Sequence, residues 1–231
     1  MEDIHHQQMG YDRAATMFAP DGQILQVEYA EKTVRLGSAS IAIIFKDGVV
    51  IVSDRRRKDP LVVESSANKI NIIDDHIMAV AAGISSDARV LIERARVAAQ
   101  QHRITYDSTP DAETIVREIA DIKQQFTQYG GARPFGVSIM VAGYNSEPTI
   151  HTTDITGNYF KYRANAIGEN DEQLKEILRK KYKKDLPLKD AVKLAFDAFR
   201  EVQKDGFDPS RFDVGVLTKE GIEILPGKKF A

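Results

Sequence analysis

Apolar residues recur along this chain at two periods, near two and near three and a half, and the switches between them divide it into strand pairs and helix pairs. Residues 41–45 and 49–52 are short β-branched runs on either side of Lys46-Asp47-Gly48, which predicts a hairpin closed by an Asp-Gly turn. Residues 70–73 and 77–82 repeat that arrangement around Asp74-Asp75-His76. A helix is predicted over 86–102, with Ser85 or Ser86 as its cap and Ala88, Leu91, Ala95 and Ala98 as its buried stripe. A second follows Thr109-Pro110, read as cap and first helical residue. Its apolar positions Ala112, Ile115, Ile119, Ile122, Phe126 and Tyr129 step by threes and fours until Gly130-Gly131 stops it. Strands are predicted again at 135–142, 149–153 and 159–166. A second helix pair covers 171–182, where Asn170 and Gln173 have capping-box spacing, and the stretch from Pro187 that buries Ala191, Val192, Ala195, Phe199 and Val202. Runs 212–217 and 222–225 around Lys219-Glu220-Gly221 predict a last hairpin.

Hairpins and helices segregated in this order point to antiparallel sheets rather than βαβ units. Several strands are apolar on both faces, so each sheet needs a partner sheet on one side and helices on the other. An α+β fold built as a four-layer α-β-β-α sandwich satisfies both conditions. Ahead of the first hairpin, Pro20-Asp21-Gly22 marks a turn, because Pro fixes φ and Gly tolerates a positive one. An amphipathic helix is predicted over 23–34, with Ile24, Val27, Ala30 and Val34 on its apolar side.

Composition narrows the function classes. At 231 residues with 42% hydrophobic and 29% charged residues and no Ser-rich or Pro-rich linker, the chain reads as one large domain over 11–231 behind a polar segment, 1–10, expected to be mobile. Balanced charge, 32 basic against 34 acidic residues, gives no footprint for nucleic acid or an anionic membrane. Zero cysteines remove disulfides, thiol nucleophiles and thiolate metal sites. The first ten residues lack an apolar leader region and no run is long enough to span a bilayer, so a cytoplasmic location is expected. The histidines His5, His6, His76, His102 and His151 are scattered and read as solvated side chains, without the third ligand a metal site needs. Neither a metal nor a cofactor is expected. Gly130-Gly131 lacks the flanking pattern of a phosphate loop, and Arg55-Arg56-Arg57-Lys58 reads as a solvated loop or subunit contact.

The stretch 11–37 carries a more specific signal. Tyr11-Asp12-Arg13, then Phe18-Ala19-Pro20-Asp21-Gly22, then Gln26-Val27-Glu28-Tyr29-Ala30 resembles, in that order, the N-terminal signature of proteasome α subunits, the archaeal kind above all. Asn68-Lys69-Ile70, Ser86-Asp87-Ala88-Arg89-Val90-Leu91, Tyr129-Gly130-Gly131-Ala132-Arg133-Pro134-Phe135-Gly136 and Ala166-Ile167-Gly168 extend the resemblance to about residue 182. It implies the N-terminal-nucleophile (Ntn) hydrolase fold, a heptameric ring of α subunits stacked on catalytic proteasome β subunits, and control of access to their chamber. It implies a gate cluster at Tyr11, Asp12, Pro20 and Tyr29, with 1–10 as the gate segment. It also implies a pocket between subunits, at Lys69, Gly22, Gly37 and Gly83, that takes the C-terminal tails of activator ATPases. Glu31 stands where archaeal relatives usually carry arginine, and the chain is expected to stop at Ala231 without a long charged C-terminal helix, leaving ring assembly to the opening helix and core faces.

The catalytic branch of that family attacks with an N-terminal threonine assisted by its own amine, a lysine and an aspartate. Aligned on the first hairpin, Ser38, Lys69 and Asp54 fall at those places. Thirty-seven residues precede Ser38, so its nitrogen is a non-basic amide, and the helix over 23–34 would lie where substrate must approach. No catalytic residue is therefore assigned. Alternatives stay open at this point: removal of residues 1–37 to expose Ser38 as an Ntn nucleophile, a plain Lys69–Asp54 ion pair, and tyrosines that are simply core.

Overall fold

The computed structural model describes residues 10–56 and 61–230. Strands β1 (Ser40–Phe45), β2 (Gly48–Asp54), β8 (Ala164–Ile167), β9 (Phe212–Thr218) and β10 (Gly221–Pro226) form one antiparallel sheet, in the order β10-β9-β2-β1-β8. The other contains β3 (Ile70–Asp74), β4 (Ile77–Gly83), β5 (Val137–Tyr144), β6 (Pro148–Thr153) and β7 (Tyr159–Tyr162), in chain order. The first sheet explains why its runs are apolar throughout. Along β1, Ile41, Ile43 and Phe45 pack on a helix pair while Ala42 and Ile44 pack against the opposite sheet, and β2 divides Val50 and Val52 from Val49 and Ile51 in the same way.

Helix α1 (Leu25–Leu36) precedes the sandwich; α2 (Ser85–Tyr106) and α3 (Ala112–Gln128) cover the second sheet, α4 (Asp171–Lys181) and α5 (Leu188–Gln203) the first. The four-layer α-β-β-α arrangement is thus the one expected. Three apolar clusters correspond to its three inter-layer seams. Each large residue buried there, such as Phe199, Ile41 or Ile119, contributes about 2–3 kcal/mol.

Local boundaries differ from expectation for identifiable reasons. α1 starts two residues late because Ile24 is extended and acts as its cap; Leu25 and Ala30 are the buried positions, with Val34 packed against the seam between the sheets. α2 is capped by neither serine. The β4–β5 pairing runs on through Ile84, whose amide donates to Gly136 O at 2.9 Å, and the chain enters the helix directly from the sheet. α3 is capped by Asp111, whose carboxylate accepts from Thr114 N at 2.7 Å; Pro110 lies outside the helix and offers its carbonyl to His76 Nε2. Tyr129, the end of the predicted stripe, is exposed as the C-cap. Asn170 forms no capping box, since its left-handed φ of 57° is not the extended geometry such a cap requires.

Two further corrections concern packing. The single strand expected over 159–166 is two strands in different sheets, β7 and β8, with Arg163 between them; burial changes there from half-exposed to enclosed. The α3 stripe also hides a charge. Lys123 is fully buried, donating to Val137 O and Asp154 O at 2.9 Å each, and desolvation pushes its pKa down to about 7.

Candidate functional site

Residues 36–40 carry the chain from α1 into β1, and their route fixes the site. Gly37 is extended and crosses so close to the second sheet that a Cβ there would fall 2.3 Å from the Gly83 amide nitrogen. Gly83 itself has φ of 123° and would set a Cβ 2.2 Å from Gly136 O, so glycine is required on both sides of this contact. α1 is held down over the same end of the sandwich by Val34, in the inter-sheet seam, and by Thr33 Oγ1, 2.9 Å from Gly136 O.

Beneath that crossing, Lys69 Nζ donates to Ser38 O at 2.6 Å, Ser38 Oγ at 2.9 Å and Ser40 Oγ at 3.3 Å. Desolvation pushes its pKa down to about 7, Asp54 opposing and Arg56 adding to the depression. The ion pair with Asp54 that the sequence left open does not form. Asp54 is fully buried and accepts instead from Arg211 Nη2 at 2.5 Å, Arg211 Nε at 3.3 Å and Gln203 Nε2 at 3.1 Å, groups that close over it from the end of α5 and the start of β9. Lys69 therefore has only neutral oxygens as partners among the described residues. It borders a cavity of about 570 Å³ whose wall includes Leu36, Gly37, Ser38, Arg56 and Gly83.

This arrangement suits capture of an anion more than hydrolysis. Ser38 O–H and Lys69 are in contact, but Ser38 N is peptide-bonded to Gly37, and the Gly37 backbone lies directly against the Gly83 amide. An ammonium with neutral partners beside a cavity is poised for a carboxylate. Of the basic run expected to be a solvated loop or a subunit contact, the two described members make ion pairs within the chain: Arg56 pairs with Glu169, and Arg55, nearly buried, lies 3.4 Å from Asp213 and donates to Ser210 O. Arg57 and Lys58 lie outside the described residues.

The family model for proteasome subunits matches residues 34–217, and the model for the N-terminal signature of proteasome A-type subunits matches residues 11–32. The chain belongs to the proteasome α-subunit family. Among proteins named as proteasome alpha subunits, that of Archaeoglobus fulgidus is 42% identical over 93% of this chain and 87% of its own length. That of Methanosarcina thermophila is 42% identical over 96% and 88%, and that of Pyrococcus horikoshii 44% over 91% and 81%. The fold described above is consistent with the Ntn sandwich of proteasome subunits.

Of the four residues expected at the α-subunit docking pocket, the structure brings Lys69, Gly37 and Gly83 together. Gly22 lies apart, in the turn before α1, where Gly22 N donates to Ala19 O at 2.8 Å and Pro20 occupies the second position. Of the gate residues, Tyr11 sits in a 3-10 turn (Tyr11–Arg13) that packs on α1, the helix carrying Tyr29. Tyr11 and Tyr29 are half-buried, Lys32 Nζ lies 5.2 Å from the Tyr29 ring centroid, and Pro20 is exposed. The side chain of Asp12 and residues 1–9, including His5 and His6, lie outside the described residues. Glu31 faces Arg35 one helical turn on, at 4.0 Å.

Sequence reasoning missed the partners of Asp54, because Gln203 and Arg211 follow it by 149 and 157 positions with no local signal. The motifs at 86–91 and 129–136, far apart in the chain, meet in the structure. Asp87 accepts from Arg133 Nη1 at 2.6 Å, Arg133 Nη2 at 2.8 Å and Gly136 N at 2.9 Å; the Arg133 hydrogen bond is the main reason its carboxyl titrates below the usual range. The histidines expected to be solvated are not uniformly so: His151 is buried, and desolvation lowers its pKa. Among the described residues no cluster of potential ligands could hold a metal, and no helix is long and apolar enough to cross a membrane.

Proposed function

We propose that this chain is a non-catalytic subunit of the outer, heptameric ring of a proteasome core particle in the cytoplasm. There it governs substrate access to the chamber of the catalytic β subunits and docks activator ATPases. The observation that carries this reading is Lys69, an ammonium with neutral partners beside a cavity, next to a serine whose nitrogen is locked in a peptide bond. A C-terminal carboxylate entering that cavity accepts from Lys69 in a charge-assisted bond, which distinguishes a chain end from an internal loop. Gly37 and Gly83 allow the tail's backbone to approach closely. Gly22, remote from this cavity within one chain, serves a pocket from the neighbouring subunit's side.

α1 links the two halves of the mechanism. Its 12 residues make a rod about 18 Å long, with its C-terminus at the cavity wall and its N-terminus against the Pro20 turn. A shift imposed at 36–38 by a bound tail is transmitted along it to Pro20, Tyr29, Tyr11 and Asp12, and so to the gate segment 1–10.

Reconstitution with proteasome β subunits tests this. The chain is expected to form rings, to show no peptidase activity alone, and to admit long peptides faster into the assembled barrel once residues 1–10 are deleted. Unchanged admission after that deletion would remove the gate. The short Ser38–Lys69 contact also supports a second reading, an Ntn hydrolase that has lost residues 1–37; intact mass measurement after assembly is expected to show these residues retained.

A further inference from the structure

The chain's even overall charge conceals a strongly cationic surface away from the Lys69 cavity. Arg179, Lys180, Lys181, Lys183 and Lys184 occupy six consecutive positions, around Tyr182, at the end of α4. Beside them a groove of about 560 Å³ runs between α4 and the β7–β8 crossing, lined by Lys161, Arg163, Lys175 and Arg179 against one acid, Glu172.

The pairing within the groove leaves positive charge over. Lys161 is taken by Glu147 at 2.8 Å, and Lys175 by Asp171 at 2.6 Å and Glu172 at 3.0 Å. Arg179 meets Glu172 only at 3.8 Å, with both side chains largely exposed. Arg163, Lys180, Lys183 and Lys184 are exposed and have no ion pair among the described residues, while Lys181 is held by Glu201.

We propose that this groove docks an extended acidic peptide segment of a partner protein, with its carboxylates on Arg163 and Arg179. Guanidinium groups give the bidentate geometry that carboxylates prefer. β8 is the last strand of its sheet and lines the groove at Ala164 and Asn165, but Asn165, Ala166 and Ile167 are buried, so the peptide is held by the two guanidinium groups rather than by strand pairing. A nucleic acid fits less well. Tyr162 and Tyr182 pack against the apolar seams, and Tyr182 OH donates to Ile44 O at 3.3 Å, so neither ring is a free stacking platform.

The test is fluorescence anisotropy on the assembled full chain, with a labelled twelve-residue peptide of alternating glutamate and alanine. Binding is expected at low salt, to weaken steeply as salt rises, and to fall about tenfold or more in the Arg163→Glu/Arg179→Glu double variant. Lys189→Glu/Lys193→Glu, the same charge change on exposed positions of α5, is expected to shift affinity by about twofold at most. Equal loss in the two variants would overturn the proposal, as would tighter binding of a single-stranded RNA of matched charge. So would disassembly of the double variant, since the face would then be a subunit contact.

Discussion

Replacing Lys69 with methionine removes the ammonium while keeping most of the side chain's bulk, and its effect on tail docking can be worked out in sign and size. In the free chain Lys69 donates to three neutral oxygens, and burial holds its pKa at about 7. A docked carboxylate supplies a counter-charge, which is worth about 1.5–3 kcal/mol, or roughly 10- to 150-fold in affinity. It also raises the lysine pKa in the complex, so docking takes up a proton once the free lysine is neutral. Below pH 7 affinity is constant; above it, affinity falls by up to about tenfold per unit until the pKa of the complex is reached. The assay is anisotropy of a labelled activator-type tail, as free acid and as C-terminal amide, on assembled rings between about pH 6 and 9, the range that brackets the free lysine. The free acid is expected to bind tighter than the amide to the native ring, with a gap that closes as pH rises, and the methionine variant is expected to show no gap. Because the comparison is between two ligands, disturbance of the Ser38 segment by the substitution cancels. Equal binding of acid and amide to the native ring, or a gap retained in the variant, would refute the reasoning.

Three other outcomes are expected. Gly37→Ala drives a Cβ to 2.3 Å from backbone at Gly83, where no side chain can yield, and should lower stability by about 1–3 kcal/mol and make the 36–38 segment newly sensitive to protease. Arg211→Ala leaves the fully buried Asp54 without its guanidinium and should cost about 3 kcal/mol in urea unfolding, the low end for a broken buried pair because Arg211 is partly open to solvent. Lys123→Met should change the pH profile of thermal unfolding. Lys123 has a folded pKa of about 7, whereas the unfolded chain keeps a proton on this residue to about pH 10. The native protein should therefore gain stability relative to the variant as pH rises from 7 toward 10, by at most about 1.4 kcal/mol per unit, and parallel profiles would contradict this.

The layers of the fold were legible because strand and helix periods alternate in blocks, and both faces of β1 and β2 read as apolar. What escaped was set by distant contacts. Nothing near Arg163 announces that one β run will serve two sheets, since Tyr159, Phe160 and Tyr162 suit a strand in either. Asp111 caps α3 in place of Thr109, and the Pro110 carbonyl accepts from His76 Nε2 and Asn145 Nδ2 rather than from a helical amide. Lys123 sits in a stripe whose other members are apolar, and only the strand-end carbonyls of Val137 and Asp154, from elsewhere in the chain, make room for its charge. At the candidate site, Lys69, Gly37 and Gly83 were identifiable only through family resemblance, because their meeting depends on how α1 crosses the sandwich. The neighbours of Asp54 had no sequence signal at all.

The crossing at Arg163 gives the sandwich a hinge and a mouth. At the Phe45 end of β1 a single residue joins β7 to β8, so the sheets are stitched together there by the covalent chain. At the Ser40 end they are clasped by α1, through the Thr33 hydroxyl, Val34 and a pair of glycines, and by Lys69, which reaches from the start of β3 to Ser38 and Ser40. The link between β2 and β3 at that end, residues 55–69, is far longer than the single residue at the other, so a partial opening that leaves the ladders intact is expected to begin at the clasp, and the first surface it uncovers is the one proposed to face an arriving tail.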